Sequence, residues 1–508
     1  MDMSTNTLRN VSAETSEISP VPKQQRRDPP LEQPIYRRLA QHYLSAIEAG
    51  TLAPGDRMPS VRELMRHHHV SLSTALQSLR HLEAGGWLEA RPRSGYFVRQ
   101  LRRTALRPVC EPNISVPLDS AQYVGIHEQV SDFIARRQQQ IPEIDLSGMT
   151  CAPELYAGQD LRTAAIRALR DHPMLLTNVV PTNGNAQFRQ VVARRALHAG
   201  IQISADEVVV THGCIEALNF ALRAVAKAGD TIAVESPTYF GLLQTLESLG
   251  MRALEIPTSP QTGISIEALE LAMQSYGNIK AVVVVPTLQN PLGCIMSDAN
   301  KQRLVALCEQ YAVPLIEDDA YSDLADGEVP PAAAKVWDKS GNVIYCVSLN
   351  KVLAPGMRLG WMTCGKWLER VKMLKYAYMR ATEEWTQITA ANYMASPAYD
   401  RHLRRLRGSL KQQREQMAEA IAAYFPDQTR LNLPRGGVGL WVELPQQLSS
   451  KQLFEAALND GIGISPGVIF SNSDRFDHYL RLCCGKPFTR ELDQALRRLG
   501  NIASRLQA

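Results

Sequence analysis

Five short runs of apolar residues, rich in valine and isoleucine, mark the middle of this sequence. Helical stretches separate the runs, which are EVVVTHG, TIAVESP, KAVVVVP, VPLIEDD and VIYCVSL. A strand that is apolar along its whole length, rather than at every second residue, must be covered on both faces. Such strands alternating with helices build a mostly parallel sheet between two helical layers. The pattern therefore predicts an α/β fold for this part of the chain.

The length of the chain predicts more than one folded unit, because 508 residues exceed the size of one typical domain. Residues 1–30 are polar, contain several prolines and lack helical or strand periodicity. They are expected to be a disordered arm, since such a composition buries too little apolar surface to fold. Ordered structure is expected to begin near Pro34.

The sequence indicates neither a membrane protein nor a disulfide-bonded one. No segment approaches the roughly 20 apolar residues that span a bilayer, and the N-terminus lacks the apolar core of a signal peptide. The nine cysteines are scattered and include no C-x-x-C pair, which fits reduced thiols. His67, His68 and His69 would point in different directions on a helix, so no metal site is expected. A soluble cytoplasmic protein is the expectation.

Positive charge is concentrated in residues 34–99. This segment holds nine arginines and five acidic residues, so its net charge of +4 equals that of the whole chain. The rest of the sequence is therefore close to neutral. A short basic unit joined to a large neutral one predicts a head that binds a polyanion. The same confinement of charge argues against a bulk nucleoid protein.

The basic segment has the pattern of three short helices followed by a hairpin. Apolar residues recur every fourth position in residues 35–47, which indicates a first helix. The sequence SVRE has the signature of a capping box that opens a second helix. Ser71 is a natural N-cap for a third, whose leucines, beginning with Leu72, are expected to face a core. WLEARPRSGYFV then alternates as strand, turn and strand, which completes the outline of a winged helix.

Residues 34–98 resemble the GntR-type winged helix-turn-helix in four motifs: G-x-L-x-P-G-D-R-x-P-S, R-E-L, V-S-x-S-T and S-G-Y-F-V. The resemblance implies a head that binds double-stranded operator DNA. A recognition helix needs short polar side chains to reach base edges, and arginines to hold phosphates. Taken singly, each such residue could equally belong to a solvated helix face. The expected base contacts are Ser71, Ser73, Thr74 and Gln77, and the expected phosphate contacts are Arg62, Arg91 and Arg93. Leu72 stands where many members have arginine, so their operators do not carry over.

The segment SLNKVLAPGMRLGW, residues 348–361, follows the last of the apolar runs. It resembles the active-site lysine segment of fold-type I pyridoxal-phosphate enzymes. The resemblance implies that Lys351 forms a Schiff base with pyridoxal 5'-phosphate, while Ser348 and Arg358 hold the cofactor phosphate. A lysine in a loop is usually a surface residue, so further motifs are needed to support this interpretation.

Five upstream residues match the same enzymes. Asn290, in PTLQNPLG, and Tyr321 would bind the phenolic oxygen of the cofactor. Asp318 would keep the pyridine nitrogen protonated, so that the ring can act as an electron sink; an ordinary acidic strand end is the alternative. Gly213 lies where a strand turns into a helix, whose first amide groups can bind phosphate. Tyr239, in ESPTYFG, would stack on the pyridine ring.

Arg481, in YLRLCCG, matches the arginine that binds a substrate α-carboxylate through two hydrogen bonds in these enzymes. An ordinary arginine at a strand edge is the alternative. Val179 and Val180 stand where relatives often have a tyrosine that reaches the cofactor phosphate from a neighbouring subunit. This departure is compatible with cofactor binding but leaves catalytic turnover open. Ser236–Pro237 and Asn290–Pro291 are expected to be cis peptide bonds.

The two halves, in this order, resemble the MocR subfamily of GntR regulators. Residues 101–140 are mixed in composition and interrupted by prolines, so a linker with one helix, HEQVSDFIARRQQQ, is expected there. The resemblance implies a winged helix over residues 31–100 and an aminotransferase-like domain over 141–508 that ends in a small α/β subdomain. It also implies a homodimer.

Two functions remain open at this point. Pyridoxal phosphate, or an amino compound that reacts with it, could act as the effector of a transcriptional regulator and change its operator affinity. Alternatively, the chain could be an active aminotransferase with a DNA-binding head. The fold does not separate them, because both use the same set of residues.

Overall fold

The computed structural model of the chain describes residues 34–48, 51–53, 55–84, 87–91, 94–98, 106–114 and 119–507. The described residues form two compact units, which divide near residue 100. The expected disordered arm at residues 1–30 lies outside the described residues, as does Arg93.

The first unit is a winged helix, as predicted. Its elements are α1 (Ile35–Glu48), α2 (Val61–His68), α3 (Leu72–Ala84), β1 (Leu88–Arg91) and β2 (Gly95–Val98). The two strands pair antiparallel, with Leu88 opposite Val98. Leu64 and Leu79 anchor the core of this unit and are each 1% exposed.

Local sequence signals fix where the helices of the first unit begin. Ser60 Oγ accepts a hydrogen bond from Glu63 N, and the Glu63 carboxylate accepts one from Ser60 N, so the predicted capping box is present. Ser71 Oγ likewise accepts from Thr74 N. Leu72, expected in the core, is instead 54% exposed. As the first residue of α3 it precedes the turns whose apolar side packs against α1 and α2, so the prediction for Leu72 was wrong.

The second unit is built on a large sheet and carries a smaller one. Its strands are β3 (Gln122–Tyr123), β4 (Ile144–Asp145), β5 (Val208–Thr211), β6 (Thr231–Ser236), β7 (Arg252–Ser259), β8 (Gly263–Ile264), β9 (Ile279–Val284), β10 (Leu315–Asp319), β11 (Val343–Ser348), β12 (Gly360–Thr363), β13 (Arg430–Leu431), β14 (Gly439–Glu443), β15 (Ile462–Gly463), β16 (Ser465–Pro466) and β17 (Tyr479–Cys483). Its helices are α4 (His127–Gln139), α5 (Gly158–Asp171), α6 (Ala186–Ala196), α7 (Cys214–Val225), α8 (Phe240–Ser248), α9 (Ile266–Ser275), α10 (Asp298–Gln310), α11 (Leu368–Tyr378), α12 (Glu384–Met394), α13 (Pro397–Tyr424), α14 (Ser450–Asn459) and α15 (Arg490–Gln507).

The large sheet has the order β3-β7-β6-β9-β10-β11-β12-β5, with β8 paired to β7. The central neighbours from β7 to β11 run parallel, and β12 is antiparallel to both β11 and β5. The five apolar runs form β5, β6, β9, β10 and β11. Every residue of β5, β6 and β10 is buried, because helices cover both faces. The predicted α/β fold is confirmed.

The C-terminal part forms the expected small subdomain. Its sheet has the order β13-β14-β17-β16 and is antiparallel throughout. Helices α14 and α15 pack against each other, and the long helix α13 packs against α15. Arg481 lies on β17, an inner strand of this sheet.

Residues 106–114 and 119–139 pack as part of the second unit, which corrects the expected linker where the structure describes it. Leu431 N donates to Arg107 O over 2.9 Å, and β3 pairs with β7. Helix α4 buries Val130 and Phe133 in the main core. Most of the α4 surface faces solvent, and the composition of the segment is therefore polar. Its two buried apolar residues are too few to predict from the sequence that the helix packs against the core.

Two further expectations concern the backbone and the membrane. Ser236–Pro237 and Asn290–Pro291 are both cis, as predicted. Within the described ranges, no helix is long and apolar enough to cross a bilayer.

Candidate functional site

A cavity of about 240 Å³ opens where several parallel strands end. Val285 directly follows β9, Asp318 is the penultimate residue of β10, and Ser348 is the last residue of β11. Parallel strands bring their carboxyl ends to the same edge of a sheet, which is where open α/β folds bind ligands. Eight residues predicted from the sequence line this cavity: Tyr239, Asn290, Asp318, Tyr321, Ser348, Lys351, Arg358 and Arg481.

Lys351 presents a buried amine to the cavity. Its Nζ donates to the backbone oxygen of Met149 and lies 5.8 Å from the centre of the Tyr321 ring. Burial lowers the pKa of Lys351 to about 8, and the nearby positive charge of Arg481 acts in the same direction. A lysine with a lowered pKa holds more of its amine in the neutral, nucleophilic form.

Asp318 presents a buried carboxylate on the same cavity wall. Burial raises the pKa of Asp318 to about 6, while a hydrogen bond from Cys214 works in the opposite direction. Cys214 Sγ donates to Asp318 Oδ1 over 2.8 Å. Cys214 is the first residue of α7 and was not singled out from the sequence, since its partner lies 104 positions away in the chain.

Gly213 forms a close-fitting corner beside this cavity, although it is not itself part of the lining. It is the N-cap of α7 and has a φ of +90°, a conformation that glycine adopts at little cost. A Cβ at this position would lie 2.7 Å from Asn350 Nδ2 and 3.8 Å from Ser348 Oγ. The first amide groups of α7 and the hydroxyl of Ser348 therefore converge, which is the arrangement that binds phosphate at a helix N-terminus.

Two cationic side chains lie beside this corner. Arg358 Nη2 donates to His212 O over 3.3 Å. The imidazole of His212 lies between two carboxylates, with 2.9 Å from Nε2 to Glu383 Oε2 and 3.3 Å from Nδ1 to Glu216 Oε1. Hydrogen bonds to these carboxylates raise the pKa of His212 to about 9. His212 is therefore protonated at neutral pH, a feature that the local sequence did not reveal.

Arg481 is a buried residue of the cavity lining and is 2% exposed. Its Nη1 donates to Asn290 Oδ1 over 2.9 Å, and its Nη2 donates to Ser147 O over 2.8 Å. Its guanidinium carbon lies 4.8 Å from the centre of the Phe470 ring. Among the contacts of the described residues, the buried Nε has no hydrogen-bond partner. A buried N–H donor without a hydrogen bond costs free energy. The guanidinium of Arg481 therefore favours the binding of an anionic ligand.

The aromatic wall of the cavity depends on Gly241, whose role is not evident from the sequence. A Cβ at Gly241 would lie 2.5 Å from the ring of Tyr239, so this position must lack a side chain for the ring to adopt its place. Burial raises the pKa of Tyr239 and that of Tyr321, which keeps both hydroxyl groups protonated as donors. Phe133 and Arg137 of α4 also line the cavity and were expected only in a linker.

In the first unit, four of the predicted DNA contacts lie at the N-terminus of α3. Ser71 Oγ lies 2.8 Å from Ser73 Oγ and 2.9 Å from Thr74 Oγ1. Gln77 follows on the exposed side of the same helix. These short polar side chains therefore share one accessible patch.

The predicted phosphate contacts of the first unit differ in their surroundings. Arg62 is exposed on α2. Arg91 pairs with Glu89, with 2.6 Å from Nε to Oε1, and its guanidinium lies 4.3 Å from the centre of the Phe97 ring. Glu89 offsets part of the positive charge of Arg91.

The sequence matches two family descriptions: "Bacterial regulatory proteins, gntR family" over residues 35–98, and "Aminotransferase class I and II" over residues 155–499. The uncharacterized HTH-type transcriptional regulator YdcR of Escherichia coli (strain K12) is 36% identical over 92% of this chain and 98% of its own length. YjiR, another such regulator from the same organism, is 35% identical over 92% of this chain and 99% of its own. The chain belongs to the MocR subfamily of GntR transcriptional regulators.

This regulator also resembles solved aminotransferases in its second unit. The crystal structure of Pyrococcus horikoshii kynurenine aminotransferase superposes with a TM-score of 0.69 and 26% identity, covering 74% of this chain and 94% of that one. The aminotransferase class I and II fold implies dependence on pyridoxal phosphate. The cavity fits that group, because it brings together an amine, a carboxylate, a side-chain-free corner at a helix N-terminus and a guanidinium with an unpaired donor.

Proposed function

We propose that this regulator binds pyridoxal phosphate at Lys351 and changes its affinity for operator DNA when the cofactor, or an amino compound that reacts with it, occupies the cavity. One observation carries the proposal. A full set of cofactor-type side chains converges on a single cavity in a chain that also has a winged helix with an exposed polar patch.

Each side chain has a distinct task in this proposal. Bound pyridoxal phosphate supplies an electron sink for a bond broken at an amino-acid α-carbon. Lys351, with its lowered pKa, provides the neutral amine that attaches the cofactor. Asp318 would hold a proton on the pyridine nitrogen, and the positive charge of that nitrogen would favour the ionised carboxylate. Asn290 and Tyr321 would bind the phenolic oxygen.

The remaining residues of the cavity would hold the two ends of the ligands. Ser348, Arg358 and the first amide groups of α7 after Gly213 would bind the cofactor phosphate. Tyr239 would stack on the pyridine ring. Arg481 would bind the carboxylate of an amino-acid effector, since its buried guanidinium lines the cavity and keeps an Nε donor unpaired among the described residues.

We infer that the first unit, over about residues 31–100, binds the operator through α3. Ser71, Ser73, Thr74 and Gln77 would contact base edges, because they lie close together around the start of α3, with Thr74 half-buried and the other three exposed. Arg62 and Arg91 would contact phosphates, with Arg91 weakened by its pairing to Glu89.

We also propose that the second unit forms a homodimer. Large apolar side chains are exposed on α5 and on the segment that follows it, where Ile166, Met174, Leu176 and Val179 are 58%, 60%, 73% and 97% exposed. An exposed apolar group of this kind is typical of a surface that a partner covers. Sedimentation of Leu176→Glu should give monomers, with the exposed Glu128→Gln as a control that stays dimeric.

An active aminotransferase is the second candidate function. It is favoured by the joint presence of the Lys351 amine, the Asp318 carboxylate and the Arg481 guanidinium around one cavity. Measuring half-turnover with amino donors distinguishes the regulator from the aminotransferase. A sensor should react at most once or slowly and should show ligand-dependent operator binding, whereas an enzyme should turn over rapidly with operator affinity unchanged. The operator for these measurements can be selected from random duplexes with the purified full chain.

A further inference from the structure

A second cavity, of about 570 Å³, lies in the second unit beside the first. Its walls come from α6, from the start of α13 and from strands β11 and β12. The volume falls within the range of about 300–1,000 Å³ that small-molecule sites usually have. None of the residues assigned to the cofactor or to the effector carboxylate lines it.

The second cavity has an apolar part and a charged part, and the apolar part includes two aromatic rings. Tyr345 and Trp361 lie edge to face, with their ring centres 5.5 Å apart. Val192, Ile201 and Leu403 complete an apolar surface. Such walls favour a ligand with an aliphatic or aromatic side chain.

The charged groups of the second cavity balance each other. Three guanidinium groups and three carboxylates line it, namely Arg195, Arg404, Arg407, Asp323, Glu328 and Asp400. Because the cavity has as many positive as negative side chains, it favours a ligand with one positive and one negative charge over a simple anion or a simple cation.

Two of the arginines are already engaged. Arg195 Nη2 donates to Asp400 Oδ1 over 3.0 Å. Arg407 Nε donates to the backbone oxygen of Asp323 over 2.7 Å. The carboxylate of Asp323 and the guanidinium of Arg404 make no hydrogen bond or ion pair with any residue that the structure describes. Burial raises the pKa of Asp323, although the positive charges of Arg195 and Arg407 act in the opposite direction.

The end of β10 forms a wall between the two cavities. Asp318 and Tyr321 line the first cavity, whereas Ser322 and Asp323 line the second. Asp319, between them, accepts hydrogen bonds from Tyr345 Oη and from Ser322 N. A ligand that shifts Asp323 therefore acts on the same short segment that carries the carboxylate of the first cavity.

We infer that the second cavity binds a zwitterionic amino compound with an apolar side chain, whose ammonium group contacts Asp323 and whose carboxylate contacts Arg404. The site is independent of the proposed cofactor, because Lys351 takes no part in it. It would give the protein a second input, coupled to the first through the end of β10.

The test uses L-phenylalanine as the probe and isothermal titration calorimetry of the full-length Lys351→Ala variant, in which the probe has no attached cofactor to react with. L-Phenylalanine should bind, and adding Asp323→Asn should weaken binding about ten- to hundred-fold, the usual effect of losing a hydrogen bond to a charged group. Arg404→Gln should weaken L-phenylalanine but not phenethylamine, which has no carboxylate. Asp427→Asn and Arg401→Gln, which change exposed residues outside the cavity, should leave binding unchanged.

Ala199→Phe provides a second test, because it places a ring in the cavity without removing a charge. It should abolish binding of L-phenylalanine. Absence of binding at millimolar probe, or binding that survives both Asp323→Asn and Ala199→Phe, would overturn the site. Equal affinities for L-phenylalanine and phenethylamine would overturn the zwitterion assignment.

Discussion

Attachment of pyridoxal phosphate to Lys351 should accelerate as the pH rises, with a midpoint at about pH 8. The reason is that only the neutral amine is nucleophilic, and burial lowers the pKa of Lys351 to about 8. Arg481 and Arg358 add to this effect, since their positive charges disfavour a third charge in the same cavity.

The size of the effect follows from the two pKa values. A lysine with the ordinary pKa of 10.5 is neutral in about 0.03% of molecules at pH 7, whereas a pKa of about 8 gives about 9%, roughly 300 times as much. Lys351 should therefore react with the cofactor aldehyde far faster at neutral pH than an exposed lysine does.

The assay is stopped-flow absorbance after mixing the apoprotein with pyridoxal phosphate over a range of pH, followed by borohydride reduction and identification of the labelled peptide. Lys351→Ala is an informative control because it retains Lys375, another buried lysine whose pKa burial lowers to about 8. Lys375 Nζ donates to Thr382 Oγ1 over 2.8 Å and does not line the cavity. A midpoint near pH 10, or equal labelling of the Lys351→Ala variant, would refute the reasoning.

Three further predictions concern single residues. Gly213→Ala should weaken cofactor binding roughly 5- to 150-fold in equilibrium dialysis, because a φ of +90° with a ψ of −174° costs alanine about 1–3 kcal/mol and the new Cβ would meet Asn350. Gly356→Ala, with open space around it, is the matched control, and equal affinities for both variants would contradict the phosphate corner. Arg62→Ala should reduce the slope of log DNA affinity against log salt concentration by about 0.9 in anisotropy titrations, whereas Thr74→Ala should change the sequence preference. A wild-type slope for Arg62→Ala would rule out the phosphate contact. Arg481→Ala should abolish spectral responses to amino acids but not the attachment at Lys351, and a wild-type response to amino acids would remove Arg481 from the effector site.

The fold was predictable because its signals are local. The apolar runs became β5, β6, β9, β10 and β11 since a buried strand must be apolar on both sides. The capping box at Ser60 and the two cis prolyl bonds also depend on a few adjacent residues.

The site was predictable only where a motif carries its residues. Lys351 and Arg358 share one segment, and Asp318 and Tyr321 another, so each pair arrives at the cavity together. Cys214 was missed because its role depends on a partner 104 positions away.

The helix of the expected linker is present as α4. Its packing against the main core was missed for a related reason, and so was the second cavity. A helix with two buried residues has too weak an apolar pattern to reveal that it lines a site. The second cavity collects its lining from segments between Val192 and Arg407 that carry no common motif. Long-range packing of this kind is visible only once the chain is folded.

The central claim is that occupancy of the first cavity changes operator affinity. The most direct measurement is a titration of the selected operator with the full chain, without ligand, with pyridoxal phosphate, and with pyridoxal phosphate plus amino acids, repeated with Lys351→Ala. Operator affinity of the wild type should change roughly 5- to 150-fold with ligand, the usual range of coupling between two sites, and Lys351→Ala should not respond to pyridoxal phosphate. Constant operator affinity under every ligand condition, together with rapid transamination, would contradict the sensor and leave an aminotransferase with a DNA-binding head.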